Sequence, residues 1–393
     1  MGQPYSLKLV YPLLKILGAW PKSSPSSVLS TILKCCLISI CYLIQLMVLI
    51  PGILYIFLKE ANLGGKIKMF VPHMNGITQV SKYTILLRQI KEFNIILKEV
   101  KRDYSLATDK NMWIFTTRAY IGHKMMIAIA IAMYSSGVGY RMILPFLKGR
   151  ILLPDNTTVR LLPCPGYYMF LNEQVTPNYE IIFTIQVLGG FLNYTTLCGT
   201  TGITTMLCLH MCSLLEILIN KMNDLTCQSD ECETIVRKKL ADIVEYQMKI
   251  IDFLNHVEQL TSYLYFCEIL EYVCGACVIG YCLITEWENS NAAALIVYFI
   301  LEFLCIFCTL TICYIGQLLI DESDKVRQIS VTLDWYRLPV NEARGLILVI
   351  IMSNYPIKVT AGKIVDISLI TFTDVCIYKR KIKFPNYPLH TLF

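Results

Sequence analysis

The feature that most constrains this chain is a set of long stretches free of charged side chains. Residues 35–58 (CCLISICYLIQLMVLIPGILYIFL) contain no Asp, Glu, Lys or Arg, and neither do residues 181–215. A helix of about 20 apolar residues, rising 1.5 Å per residue, crosses the ~30 Å hydrocarbon core of a bilayer, so each run can span one. A soluble fold would need more polar surface than is present. Of 393 residues, 55% are hydrophobic and 16% charged, with a mean hydropathy of +0.53, whereas soluble domains carry about 25% charged residues. The chain reads as an all-α integral membrane protein.

Seven spans are expected. Residues 35–58 form the first, which reads as its own uncleaved insertion signal. Residues 64–87 hold Lys66, Lys68, His73 and Lys82 among apolar side chains and read as an amphipathic second span facing protein or a cavity. The third covers about 119–147, with Arg141 near its outer end placed to snorkel to the interface. The charge-free run 181–215 exceeds one crossing, so the fourth helix tilts or extends beyond the bilayer. The fifth (262–285) carries Glu268 and Glu271, and the sixth (293–320) carries Glu302. Such groups at membrane depth mark helix pairing or a functional path. The seventh reads as a broken helix, 345–353 and 364–378, around Pro356 and Gly362.

Orientation follows from the connections. Those on the N-terminal side carry 20 Lys and Arg and those on the other side six, which places the N-terminus in the cytoplasm. The net charge of +6 is a by-product of that asymmetry, and no nucleic-acid partner is expected. Asn156-Thr157-Thr158 is a glycosylation sequon in the 148–180 loop, already assigned to the outside. Asn193-Tyr194-Thr195 falls inside the fourth span and should be silent.

Little points to catalysis. The pairs Cys274–Cys277 and Cys305–Cys308 each share a helix face, but they lie mid-span with no His beside them, which favours packing over metal or redox chemistry. Cys164 is the one cysteine assigned to an outer loop, so no disulfide is expected there. No HExxH and no glycine-rich phosphate loop occurs, and the reading is of no enzyme, no cofactor and no metal. Met133, Tyr134, Tyr140, Phe183, Phe191, Tyr298 and Phe299 crowd the outer halves of several spans. They suit an apolar ligand pocket, although packing or lipid contact is the simpler reading of their spacing.

Several stretches together resemble the insect odorant receptor family, in particular the large receptor sets of ants, bees and wasps. They are Gly316-Gln317-Leu318 with Ser323, Asp334-Trp335-Tyr336-Arg337-Leu338-Pro339, Pro356-Ile357-Lys358-Val359-Thr360-Ala361-Gly362-Lys363, Ser368-Leu369 and Thr371-Phe372-Thr373. Earlier pieces are Leu13-Leu14-Lys15 with Gly18 and Trp20-Pro21, Leu162-Pro163-Cys164-Pro165-Gly166-Tyr167, and His210 with Leu214-Leu215-Glu216. The resemblance implies seven helices with a cytoplasmic N-terminus, and a tuning subunit that joins a shared co-receptor in a heterotetrameric, odorant-gated, non-selective cation channel. It further implies the plasma membrane of olfactory sensory neurons as the location and a small hydrophobic odorant as the ligand. The implied pocket lies in the outer half among the second, third, fourth and sixth helices. The ligand-binding candidates on that basis are Met69, Phe70, Met133, Tyr134, Gly137, Tyr140, Ile185, Leu188 and Tyr298. The resemblance also implies that the cytoplasmic parts of the later helices join subunits and that the outer half of the seventh lines the pore.

One departure stands out. After Val375 the family continues its pore-lining helix, whereas this chain reads Cys376-Ile377-Tyr378-Lys379-Arg380-Lys381. The expected organisation is a cytoplasmic N-terminus (1–34), a seven-helix domain (35–375) whose last span is truncated in its outer half, and an atypical basic tail (376–393), read as splice read-through or a truncated isoform. Two other functions fit a seven-span chain: a receptor signalling through intracellular proteins, and a secondary transporter built on the intramembrane glutamates and the broken helix. Neither a DRY-type triplet nor NPxxY supports the first, and no inverted repeat supports the second.

Overall fold

The structure is a computed structural model that describes residues 5–21, 28–143, 145, 149–152, 158–169, 171–226, 233–288, 290, 292–334, 336, 338 and 340–383. Ten α-helices occur among them: α1 Val10–Ile16, α2 Val28–Leu58, α3 Leu63–Arg88, α4 Ile90–Leu106, α5 Asp109–Val138, α6 Asn178–Thr226, α7 Glu233–Glu288, α8 Ala292–Thr332, α9 Val340–Ser353 and α10 Leu369–Lys383. Five of them (α2, α5, α6, α7 and α8) are long and apolar enough to cross a membrane. The lysine-bearing α3 and the α9–α10 pair complete the seven spans. Below, the side of the charge-poor connections is called outer.

The uncharged fourth span is the centre of the bundle. Of its most apolar stretch 89% is buried, against 22% for α2 and 33% for α8, so α2 and α8 face lipid while α6 faces protein. At 49 residues α6 is about 74 Å long and runs well past the bilayer. Small residues allow the close approach of neighbours that membrane packing relies on: Leu14 reaches within 3.0 Å of where a Cβ on Gly199 would stand, and Val10 within 2.9 Å at Gly202. The hydroxyls of Thr195, Thr196 and Thr200 return to carbonyls one turn back, so these polar side chains cost little in an apolar setting.

The N-terminal segment is part of the bundle's inner end. Leu7, Leu14, Leu17 and Ala19 are fully buried, and the Tyr83 hydroxyl of α3 donates to the Leu17 carbonyl at 2.6 Å. Gly18, at φ +67, closes α1 in the left-handed conformation that glycine adopts without strain.

The seventh span is broken as expected, but the break is structured. Between α9 and α10 lies a hairpin of β3 (Thr360–Ala361) and β4 (Val365–Asp366), antiparallel, following β1 (Arg150–Leu152) and β2 (Thr158–Arg160) of the outer loop. Gly362 and Lys363 both have positive φ, the geometry of a tight hairpin turn. Residues 364–368, expected to be helical, are therefore hairpin and cap, because Ser368 accepts from the Thr371 amide at 3.3 Å and starts α10 there. α10 continues through the boundary drawn after Val375 to Lys383. Its 15 residues reach about 22 Å, short of ~30 Å of hydrocarbon.

The third span differs in its ends. The helix begins at Asp109, capped by Thr108, and closes in a π-helical turn at Gly139–Ile143.

Candidate ligand cavity

α3, α5, α6, α7 and α8 enclose a cavity of about 190 Å3 in the outer half. That is more than ten times the ~15 Å3 one water requires. Val71, Pro72 and Met74 of α3, Met133 of α5, Leu197 of α6, Ile279 of α7 and Val297, Leu301 and Leu304 of α8 give it apolar walls. Lys68, Asn75, Ser136, Arg141, Tyr194, Glu271, Tyr272 and Tyr298 add polar groups.

The floor is an ionic cluster across α3, α6 and α7. Lys82, fully buried, lies 3.1 Å from Glu268 Oε1 and 3.8 Å from Glu271 Oε2. Thr201 donates to Glu268 Oε1 at 2.9 Å, while Asn75 and Gln79 donate to the two oxygens of Glu271 at 2.6 and 3.3 Å. Hydrogen bonds of this kind make buried charge tolerable, and removing one partner is costly. Glu268 and Glu271 thus pair helices, and Glu271 also faces the cavity. At the rim Lys68 pairs with Glu286. Asn75, Gln79 and Lys82 recur on one face of α3, a helical periodicity that the second span's weak hydropathy concealed.

Arg141 does not snorkel. It is 7% exposed and turned inward, its guanidinium donating to the Gln186 carbonyl at 3.4 Å. The π-helical turn re-aims the side chain, and Gly190 has no Cβ where the Arg141 stem passes. The outer-loop stretch around Cys164 is fastened over this end: Gln186 accepts from the Cys164 amide at 3.0 Å and donates to its carbonyl at 2.7 Å.

Of the sequence candidates, Met133 and Tyr298 line the cavity. Tyr134 bonds Thr195 at 2.7 Å, and Gly137 is buried where Tyr194 passes. Met69, Phe70, Ile185 and Leu188 are not among the lining residues, and Phe70 and Leu188 are exposed on the bundle surface. The side chain of Tyr140, like Asn156, lies outside the described residues. Asn193 is 7% exposed, in keeping with a silent sequon. Cys274, Cys277, Cys305 and Cys308 are free thiols.

Below the cavity, many of the signature stretches meet at one junction. Gln317 accepts from the Leu369 amide at 3.3 Å, and Ser323 from the Ile357 amide at 3.1 Å. The amides of Gly362 and Lys363 donate to the carbonyl and hydroxyl of Ser262 at 2.9 and 3.1 Å. A family model described as 7tm Odorant receptor matches residues 62–377. The chain belongs to this odorant receptor family. Odorant receptor 30a of Drosophila melanogaster is 22% identical over 222 residues, covering 54% of this chain and 56% of that receptor. Odorant receptor 67c of the same species is 25% identical over 173 residues, 44% and 41% of the two chains. The chain thus spans about half the length of the curated odorant receptors it matches. The insect olfactory receptor OR5 from Machilis hrabei, solved alone and with eugenol, superposes with a TM-score of 0.76 at 12% identity, covering 96% of each chain. The odorant receptor chain therefore has the seven-span fold of an insect olfactory receptor and is a multi-pass membrane protein. Its family is one of receptors rather than enzymes.

Proposed function

We propose that the chain is the odorant-binding, tuning subunit of a ligand-gated, non-selective cation channel, with the cavity as the odorant site. It assembles with the shared co-receptor as a heterotetramer in the plasma membrane of olfactory sensory neurons, N-terminus inside. The observation that carries this reading is the 190 Å3 cavity, apolar over most of its wall, held among five spans of an odorant receptor fold. Met133 and Tyr298 are the contacts shared by the cavity and the sequence candidates. OR5 from Machilis hrabei, with the same fold, was solved with eugenol.

Gly275 supplies the test. It lines the cavity, and a Cβ there would meet only the flexible end of Met74, at 3.3 Å. Gly275→Leu should fill the space without forcing the helices apart. Co-expressed with the co-receptor and challenged with volatiles, the parent should give inward currents and Gly275→Leu at least a ~10-fold loss of sensitivity at equal surface expression. Unchanged dose–response curves in the variant would remove the cavity from consideration.

A further inference from the structure

The floor of the cavity holds one ammonium for two carboxylates. Lys82 is closer to Glu268 than to Glu271, and Glu268 also takes the Thr201 hydroxyl. Glu271, 3.8 Å from Lys82 and held by Asn75 and Gln79, is the member that faces the cavity. Three of the residues that line the cavity with donor groups already use one within the protein. Asn75 donates to Glu271 itself, Lys68 is held by Glu286, and Arg141 donates to the Gln186 carbonyl. The cavity thus offers an incoming molecule a strong acceptor among apolar walls such as Val71, Ile279, Leu301 and Leu304.

A carboxylate in an apolar setting gains most from one more donor, because hydrogen bonds to charged groups are the strongest available there. A saturated hydrocarbon filling the same space would supply none and would exclude water from the group. Resting on the reading of this cavity as the odorant site, we propose that it selects molecules with an apolar body and a hydrogen-bond-donating head. Alcohols, phenols and protonated amines meet this description, and Glu271 is the group that receives the head. Hydrocarbons of the same size are discriminated against.

The test uses the receptor co-expressed with its co-receptor and a panel of straight-chain and aromatic alcohols and amines. Each is matched to the hydrocarbon with the same number of heavy atoms, for example 1-octanol and octylamine against nonane. Donor-bearing compounds should evoke current at concentrations about tenfold lower than their hydrocarbon partners, or lower still. Glu271→Leu, which leaves the Lys82–Glu268 pair intact, should bring the ratio to within about twofold while hydrocarbon responses persist. Should that variant fail to reach the surface, Glu271→Gln keeps the shape and an acceptor but loses the charge, and should erase any preference for amine over alcohol. The proposal is overturned by equal potency of alcohols and hydrocarbons on the parent, by silence of every alcohol and amine in the panel, or by a Glu271→Gln variant with an unchanged amine-to-alcohol ratio. If Gly275→Leu abolishes all responses while the donor preference is absent, the cavity reading stands and the assignment of the head falls. If Gly275→Leu changes nothing, the cavity reading fails first.

Discussion

The outer and inner halves of this bundle solve opposite problems with the same helices. The outer half leaves 190 Å3 unfilled and tolerates a charged floor. The inner half's larger recess, about 360 Å3 between the end of α8 and α9, opens at the surface rather than in the core. Around the N-terminal segment the inner half is tightly packed, with a void of only about 20 Å3. There Phe115 and His210 stack at 5.0 Å, Phe253 meets His210 edge-on at 5.5 Å, and Asp103 of α4 binds both His210, at 3.1 Å, and Lys249. Arg118 ties α5 to Glu216 of α6 and Glu322 of α8, each at 2.7 Å. A hole costs stability, and neighbouring side chains relieve that cost by collapsing into it unless the surrounding structure holds them apart. A tightly fastened inner half holds the helices apart where they continue outward, so the difference between the halves is what keeps the cavity open.

Removing the ion that joins the two halves should do most to erase the contrast. Lys82→Met leaves Glu268 and Glu271 buried without a cation and should destabilise the chain by about 3–5 kcal/mol. The melting temperature of detergent-solubilised receptor reads this, and adding Glu268→Gln should recover part of the loss. Truncation on either side of the floor sharpens the comparison. Leu214→Ala in the inner core should cost about 2–5 kcal/mol, whereas Leu301→Ala beside existing space should cost about 1 kcal/mol in the same assay. Equal losses would mean the halves are packed alike.

The next effect is smaller and local. A Cβ on Gly316 would overlap the Ile367 carbonyl, a backbone atom that cannot swing aside. Gly316→Ala should therefore cost roughly 1–3 kcal/mol and change current in the absence of odorant, because it displaces the start of α10. The smallest effect is a pH slope. Burial alone would raise the Asp103 carboxyl, but hydrogen bonds from His210 and Lys249 outweigh it and hold the carboxyl below its ordinary 3.8. A depressed carboxyl stabilises the fold above the unfolded-state value, and that contribution disappears as pH falls through the folded-state value. Melting temperature should thus drop between about pH 5 and pH 3 in the parent and drop less in Asp103→Asn.

The spans were legible because charge-free runs such as 181–215 have one physical reading, and Pro356 and Gly362 marked the break in the seventh. The hairpin between them was not legible, because its four strand residues owe their pairing to Ser262 and Glu258, about a hundred positions earlier. Glu268 and Glu271 were visible as costly, yet their partner Lys82 is 186 residues from Glu268, and only the packing of α3 on α7 joins them. The cavity wall depends on how each helix is rotated about its axis. That explains why Met133 and Tyr298 line it whereas Phe70 and Leu188, equally apolar, face outward. Arg141 followed a sound rule for long cationic side chains until the π-helical turn and Gly190 redirected it.

One helix links these levels mechanically. α7 runs unbroken for 56 residues, about 84 Å. It carries Glu271 in the cavity wall and Ser262, nine residues earlier, against the hairpin turn. Those two points stand about 13 Å apart on a continuous helix. The hairpin in turn fixes where α10 begins. A tilt of α7 at the cavity end would thus be delivered to the last span as through a stiff lever with its fulcrum in the inner core, with no break in the helix between the two points to dissipate it.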